Sequence, residues 1–173
     1  CGVIAIAIVA RVAMEAGATP LAGLAGALAL AFSTSMWVDS SVAEVHTMTM
    51  GLTAAILLFA HRFGRRGHRA DLLWLAFVFS QGVVHQKAVL FITPAVLVAI
   101  APKWREVRKN ILPVAVIAVT APLAYLYMPM REWMGADWTF GNTSTWRGFW
   151  EMVLDTKAGR VVNLPAGLAD WLG

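Results

Sequence analysis

The sequence predicts an all-α fold, a polytopic transmembrane helical bundle of about six helices, and three observations carry that prediction. Hydrophobic residues make up 59% of the chain and charged residues only 14%, where a soluble domain keeps roughly 25% charged to cover its surface. The charges gather in short runs between long apolar stretches, as loops between spans do. The mean hydropathy of +0.67 agrees with both.

In a soluble chain the net charge of +4 would suggest nucleic acid. Here the basic residues read as loop anchors at one membrane face, so nucleic acid is not an expected partner and membrane lipid is. One cysteine leaves no internal disulfide and no cysteine-based metal site. Val3 to Val9 follow Cys1 at once with no polar tether, which argues against a lipidated start. The chain opens inside an apolar run and closes on Trp171-Leu172-Gly173, so it reads as a fragment of a longer protein, its N-terminal part missing; no signal peptide can be argued.

Residues 2–14 are apolar except for Arg11. At about 20 Å of helix they fall short of the hydrocarbon core of about 30 Å and read as the end of a span. A tight connection with Gly17 and Pro20 follows. Residues 21–38 are expected to form a full span whose small residues, Gly23, Ala25, Gly26, Ala27, Ala29 and Ala31, suit close helix packing. Residues 39–44 break the pattern, and 45–63 form the next span, ending in the basic stretch 61–69.

Residues 72–101 would make a helix of about 45 Å, too long for one crossing. The triplet His85-Gln86-Lys87 divides them into two short helices, 72–84 and 88–101. Residues 102–109 read as a second basic loop. Residues 111–128 are a further span, with Pro113 near its start and Pro122 as a kink. This makes 1–128 a transmembrane bundle and 129–173 an interfacial segment on the outer face, where Trp133, Trp138, Trp146 and Trp150 would sit at headgroup level.

Orientation follows from Lys and Arg in short loops. The 62–71 loop has four arginines and the 102–110 loop two lysines and two arginines, so both are expected in the cytoplasm. An even number of crossings must then separate them, which supports the split at His85. Asp39, Glu44, His46, His85, Lys87 and the Trp-rich tail all fall on the outer face.

Ionisable groups at membrane depth are costly and tend to be functional or paired. Asp39 and Glu44 read as acid/base or metal-holding carboxylates; equally, Ser40, Ser41 and Glu44 read as helix-capping groups. His85, Gln86 and Lys87 offer three hydrogen-bonding side chains in a row, with a charge suited to phosphate, or form a solvated turn. Arg131 suits a phosphate oxygen or anchors a helix end. Around Trp138, aromatic planes lie beside polar groups, a pattern for a sugar ring or for an aromatic belt. Asn142-Thr143-Ser144 matches a glycosylation acceptor, a motif frequent by chance.

Phe32-Ser33 with Trp37, then Ala43-Glu44-Val45-His46, then residues 82–85 with Pro94 nine residues on, then Leu126-Tyr127-Met128-Pro129-Met130-Arg131 leading to Asp137-Trp138, resemble the bacterial domain of unknown function 2723 family. That family is related to the animal transmembrane protein 260, a protein O-mannosyltransferase, and more distantly to the lipid-dependent GT-C glycosyltransferases. The resemblance runs from about residue 20 to about residue 160. It implies a GT-C-like helical bundle in the bacterial inner membrane, a periplasmic or lumenal active site, a polyprenyl-phosphate-linked sugar donor and a protein or glycan acceptor.

Residue by residue, the resemblance carries over Glu44 of a Glu-Val-aromatic motif, His85 of an Asn-His motif, and Trp138 after the last span; with them His46, Gln86, Lys87 and Arg131 are expected to contact substrate. His46 stands where the family has Tyr or Phe, and Val84 where it has Asn. In GT-C enzymes a first outer loop, before the position where this chain begins, supplies the acidic catalytic residue, so the fragment alone is expected to be inactive. The implied chemistry is inverting transfer, with basic groups or a divalent metal stabilising the leaving lipid phosphate. A transporter or flippase subunit and a non-catalytic assembly subunit are the alternatives; a transporter should place charges at the bilayer midplane on interrupted helices.

Overall fold

A computed structural model describes residues 2–41, 46–136 and 142–154, with only the backbone of Asp39, Ser40 and Ser41. Glu44 and Trp138 lie outside the described residues. Among those described there is no strand, and helices joined by short turns account for them. The α-helices are α1 (Gly2–Glu15), α2 (Pro20–Ala31), α3 (Thr34–Ser41), α4 (His46–Arg66), α5 (Arg69–His85), α6 (Thr93–Ile100), α7 (Trp104–Lys109), α8 (Ile111–Thr120), α9 (Tyr127–Trp133) and α10 (Trp146–Val153). Three 3-10 segments join them, at Lys87–Ile92, Ala101–Lys103 and Pro122–Leu126. The chain divides into two compact units, Cys1–Pro122 and Leu123–Gly173.

In the first unit α4 is central, packed on α1, α5 and α6, while α5 also packs on α8. Ile56 and Phe63, two turns apart on α4, are fully buried, and Leu72, Leu75 and Val78 of α5 close over them with Val89, Val96 and Ile100. Small residues set the spacing. A side chain at Gly64 would run into the backbone carbonyl of Ala99, so α4 and α6 touch main chain to main chain. Gly23 and Ala27 are the buried positions of α2, and a Cβ on Gly23 would come within 2.9 Å of Met14 Cγ on α1. Of the small residues expected to pack, Gly23 and Ala27 are buried, while Ala25, Gly26 and Ala29 are exposed.

The ends of the helices follow local chemistry. Thr19 accepts from the amide of Ala22 at 3.2 Å and Pro20 opens α2, a first helical position where its missing N–H costs nothing. Gly67 ends α4 at φ +70°, its amide donating to Phe63 O at 2.7 Å; an L side chain would be strained there. The turn is short enough that α5 returns antiparallel along α4.

Three expectations need correction. Residues 21–38 are not one continuous helix: α2 stops at Ala31 and α3 starts at Thr34. Ser33 is the cause, its hydroxyl donating to Leu30 O at 2.8 Å and accepting from Met36 N at 3.3 Å, so one side chain closes one helix and caps the next. Residues 102–109 are helical, not a loop. Pro102 falls where a helix tolerates it, Val107 is buried, and Lys109 Nζ bonds Glu106 Oε1 at 2.7 Å. The span expected to end at Met128 continues as helix to Trp133, with a 3-10 segment rather than a simple kink after Pro122. Two helical runs, Lys87–Lys109 and Ile111–Trp133, are long and apolar enough to cross a membrane.

Glu15, the last residue of α1, ties that helix to α4. Arg62 grips its carboxylate in a fork, Nε donating to Oε2 at 2.8 Å and Nη2 to Oε1 at 2.5 Å, and Arg11 Nε adds 2.8 Å to Oε1. Arg65 donates to the Glu15 carbonyl at 3.2 Å, and a His61 ring nitrogen lies 3.1 Å from the same oxygen, so α4 caps the C-terminal end of α1. The Arg62 guanidinium chiefly, with Arg11, holds the Glu15 carboxyl down at about 2. The signal was available: on the expected topology, residues 15–20 share a face with the basic stretch, where Glu15 is the carboxylate.

Two outcomes follow. Gly64→Leu should lower stability by about 1–3 kcal/mol by forcing α4 from α6, read as a drop in the thermal unfolding midpoint in detergent; an unchanged midpoint would refute the close approach. Because folding depresses the Glu15 pKa from an ordinary 4.5 to about 2, its stabilisation is complete above pH 4.5 and is lost as pH falls toward 2. The midpoint gap between wild type and Glu15→Gln should therefore be largest at neutral pH and close across that window.

Candidate functional site

The end of α4 far from the Glu15 clamp is where the sequence places the outer rim. Here the helix that begins at Arg69 stops at His85. Gln86 takes an extended backbone, φ −150° and ψ 118°, its amide still donating to Gly82 O at 2.8 Å, and Val89 N bonds back to Gln86 O at 3.0 Å to start the 3-10 segment. Gly82 makes the fold-back fit, since a Cβ on it would meet Val89 Cγ1 at 3.1 Å and Ile56 Cδ1 at 3.3 Å.

The side chain of Gln86 then reaches across to α4. Thr49 Oγ1 donates to Gln86 Oε1 at 2.7 Å, joining residues 37 apart in sequence. Thr49 is three positions after His46, so it stands on the same face one turn along. This brings the first turn of α4, with exposed His46, to the half-buried pair His85-Gln86 and the exposed Lys87. Thr49 had no place in the sequence reading; a hydroxyl one turn inside a helix, below an expected site histidine, is the signal that would have found it.

The remaining expected residues are placed less fully. Asp39 lies on α3, which packs on α4. Arg131 is exposed in the last turn of α9, in the second unit. There Glu132 Oε2 accepts from Thr143 Oγ1 at 2.7 Å and Ser144 N at 2.8 Å, fixing the turn that precedes α10. On α10, Thr145 caps Gly148 N at 3.1 Å and Trp150 stands edge-on to Trp146 and Phe149. Among the described residues no three His, Cys, Asp or Glu side chains are grouped to hold a metal ion.

The rim can present imidazole, amide and ammonium groups together. Such a set donates and accepts hydrogen bonds from hydroxyls and offers one cation to an anionic oxygen. A double-mutant cycle on Thr49→Val and Gln86→Leu should show a coupling of about 0.5–1.5 kcal/mol in unfolding free energy. Strict additivity would remove the bond that ties the rim together.

A family model described as "Protein O-mannosyl-transferase TMEM260 N-terminal domain" matches residues 7–109, a stretch from within α1 to the end of α7. It starts earlier than the resemblance read from the sequence and stops before the Leu126 to Arg131 motif and Trp138. No curated protein and no solved structure matches the chain. The matched stretch contains both the Glu15 clamp and the rim and takes in more than half of the sequence, so the chain belongs to the protein O-mannosyl-transferase TMEM260 N-terminal domain family.

Proposed function

We propose that this chain is the membrane-embedded part of a glycosyltransferase that moves a sugar from a polyprenyl-phosphate-linked donor to a protein or glycan acceptor. The observation that carries this reading is the family match over residues 7–109. The whole is read as a GT-C-like polytopic bundle of the bacterial inner membrane, with the rim on the periplasmic side and the outer segment beginning near residue 129.

The surface supports a lipid setting. On α8 Leu112 is 73% exposed, α8 has no buried residue, and Leu97 and Val98 of α6 face outward too. Contiguous apolar surface of this kind seeks a membrane or a partner. In both candidate spans the charged residues stand near the ends, which favours an enzyme working at a face over a transporter with midplane charges.

In the proposed reaction, Glu44 or Asp39, or an acidic residue from outside this chain, takes the proton of the acceptor hydroxyl. The freed oxygen attacks the anomeric carbon, the bond from that carbon to the phosphate oxygen breaks with inversion, and the phosphate leaves on its lipid. Lys87 supplies positive charge for the departing phosphate, while His46, His85 and Gln86 hold the sugar; in the second unit, Arg131 is proposed as a phosphate contact and Trp138 as a sugar contact. In the full-length protein, Glu44→Gln and His85→Ala should abolish transfer from a polyprenyl donor while membrane insertion stays intact. Wild-type rates in both variants would overturn the site.

A further inference from the structure

At the end of the first unit opposite the rim, the α4–α5 turn and the 3-10 segment leading into α7 flank an open groove of about 800 Å³, lined by Arg66, Gly67, Lys103, Trp104, Arg105 and Arg108 among others. Its charge is one-sided. The segments 61–71 and 101–110 hold eight Lys and Arg against Asp71 and Glu106, and Glu106, the carboxylate in the lining, is bonded to Lys109. Arg66, Lys103, Arg105 and Arg108 make no side-chain hydrogen bond or ion pair with another described residue. Four cations gathered beside one carboxylate, itself already shared with Lys109, repel one another less when an anion joins them.

We infer that this groove binds the phosphate headgroup of an anionic phospholipid, held by Lys103, Arg105 and Arg108 with Arg66. Arginine forks match phosphate oxygens two at a time, and lysine adds a point charge. The half-buried Lys103 lays its stem against Gly67, Cδ within 3.2 Å of where a Cβ would stand, so the Gly67 turn makes room for it. The apolar run Lys87–Lys109 leads directly to the groove, with Leu97 and Val98 exposed below it and Trp104 half-exposed at its wall. That neighbourhood selects a lipid over a free phosphate: acyl chains lie along α6 while the headgroup enters the basic space, an arrangement basic pockets beside membrane helices favour. The inference rests on the membrane reading above and not on the transferase chemistry.

The test is native mass spectrometry of the full-length protein in detergent, titrated with phosphatidylglycerol or phosphatidylcholine. Phosphatidylglycerol should be retained preferentially. The triple variant Lys103→Gln/Arg105→Gln/Arg108→Gln should lose about tenfold or more of that retention, the charge-keeping Arg105→Lys/Arg108→Lys should keep most of it, and Arg147→Gln should be unchanged. Single glutamine variants, each losing a part, carry the test if the triple variant elutes as aggregate. Equal retention of both lipids, or of phosphatidylglycerol by wild type and folded glutamine variants alike, overturns the site. Displacement of the lipid by millimolar inorganic phosphate overturns the lipid assignment. Release of the protein from membranes by alkaline carbonate would instead strike the membrane reading itself.

Discussion

A continuous helix from Arg69 to Lys109 would be about 60 Å long, twice the thickness of a hydrocarbon core, and the backbone at Gln86 is where that length is folded in two. The fold-back needs a residue that leaves helical geometry, a glycine one turn earlier, and a partner for the side chain at the bend; Gln86, Gly82 and Thr49 supply them. With that bend in place, α5 and α6 both lie along α4, and the two ends of α4 acquire different characters. One end collects imidazole, amide and ammonium groups, and the other collects guanidinium groups around Glu15 and the basic groove.

The separation between these ends is a matter of helix length. From Thr49 to Arg62 along α4 is about 20 Å, with Ala54, Ala55, Ile56, Leu58 and Ala60 buried between. Nothing charged interrupts that stretch. Groups at the two ends therefore act on different surroundings, and a substitution at one end should be felt at the other only through packing of the helix itself. The stacked pair Phe59 and Trp74, 6.0 Å apart, with Arg62 over the Phe59 ring at 5.9 Å, stiffens the lower half of the α4–α5 contact.

The helical class, the split at His85 and the small-residue contact of α1 with α2 were legible in the sequence because length, polarity and side-chain size act locally. The break at Ser33 was not, since its neighbours are apolar enough to continue a span and only the serine's two hydrogen bonds reveal the stop. The helix over 104–109 was hidden for the opposite reason: charge density reads as loop, while the Glu106 to Lys109 pair and a buried Val107 depend on neighbours the sequence does not display. In the candidate rim, His46, His85, Gln86 and Lys87 stand out in the sequence as polar interruptions of apolar runs. Thr49 does not, because a threonine in a helix is ordinary until its partner, 37 residues away, is known.

Ser33 has a consequence for where a helix can end. By meeting Leu30 O and Met36 N with a single hydroxyl, it adds a second bond to a carbonyl that its own amide already reaches and answers an amide in the first turn of the next helix. A chain so jointed carries Asp39 on a short rod of its own, separate from the helix before it.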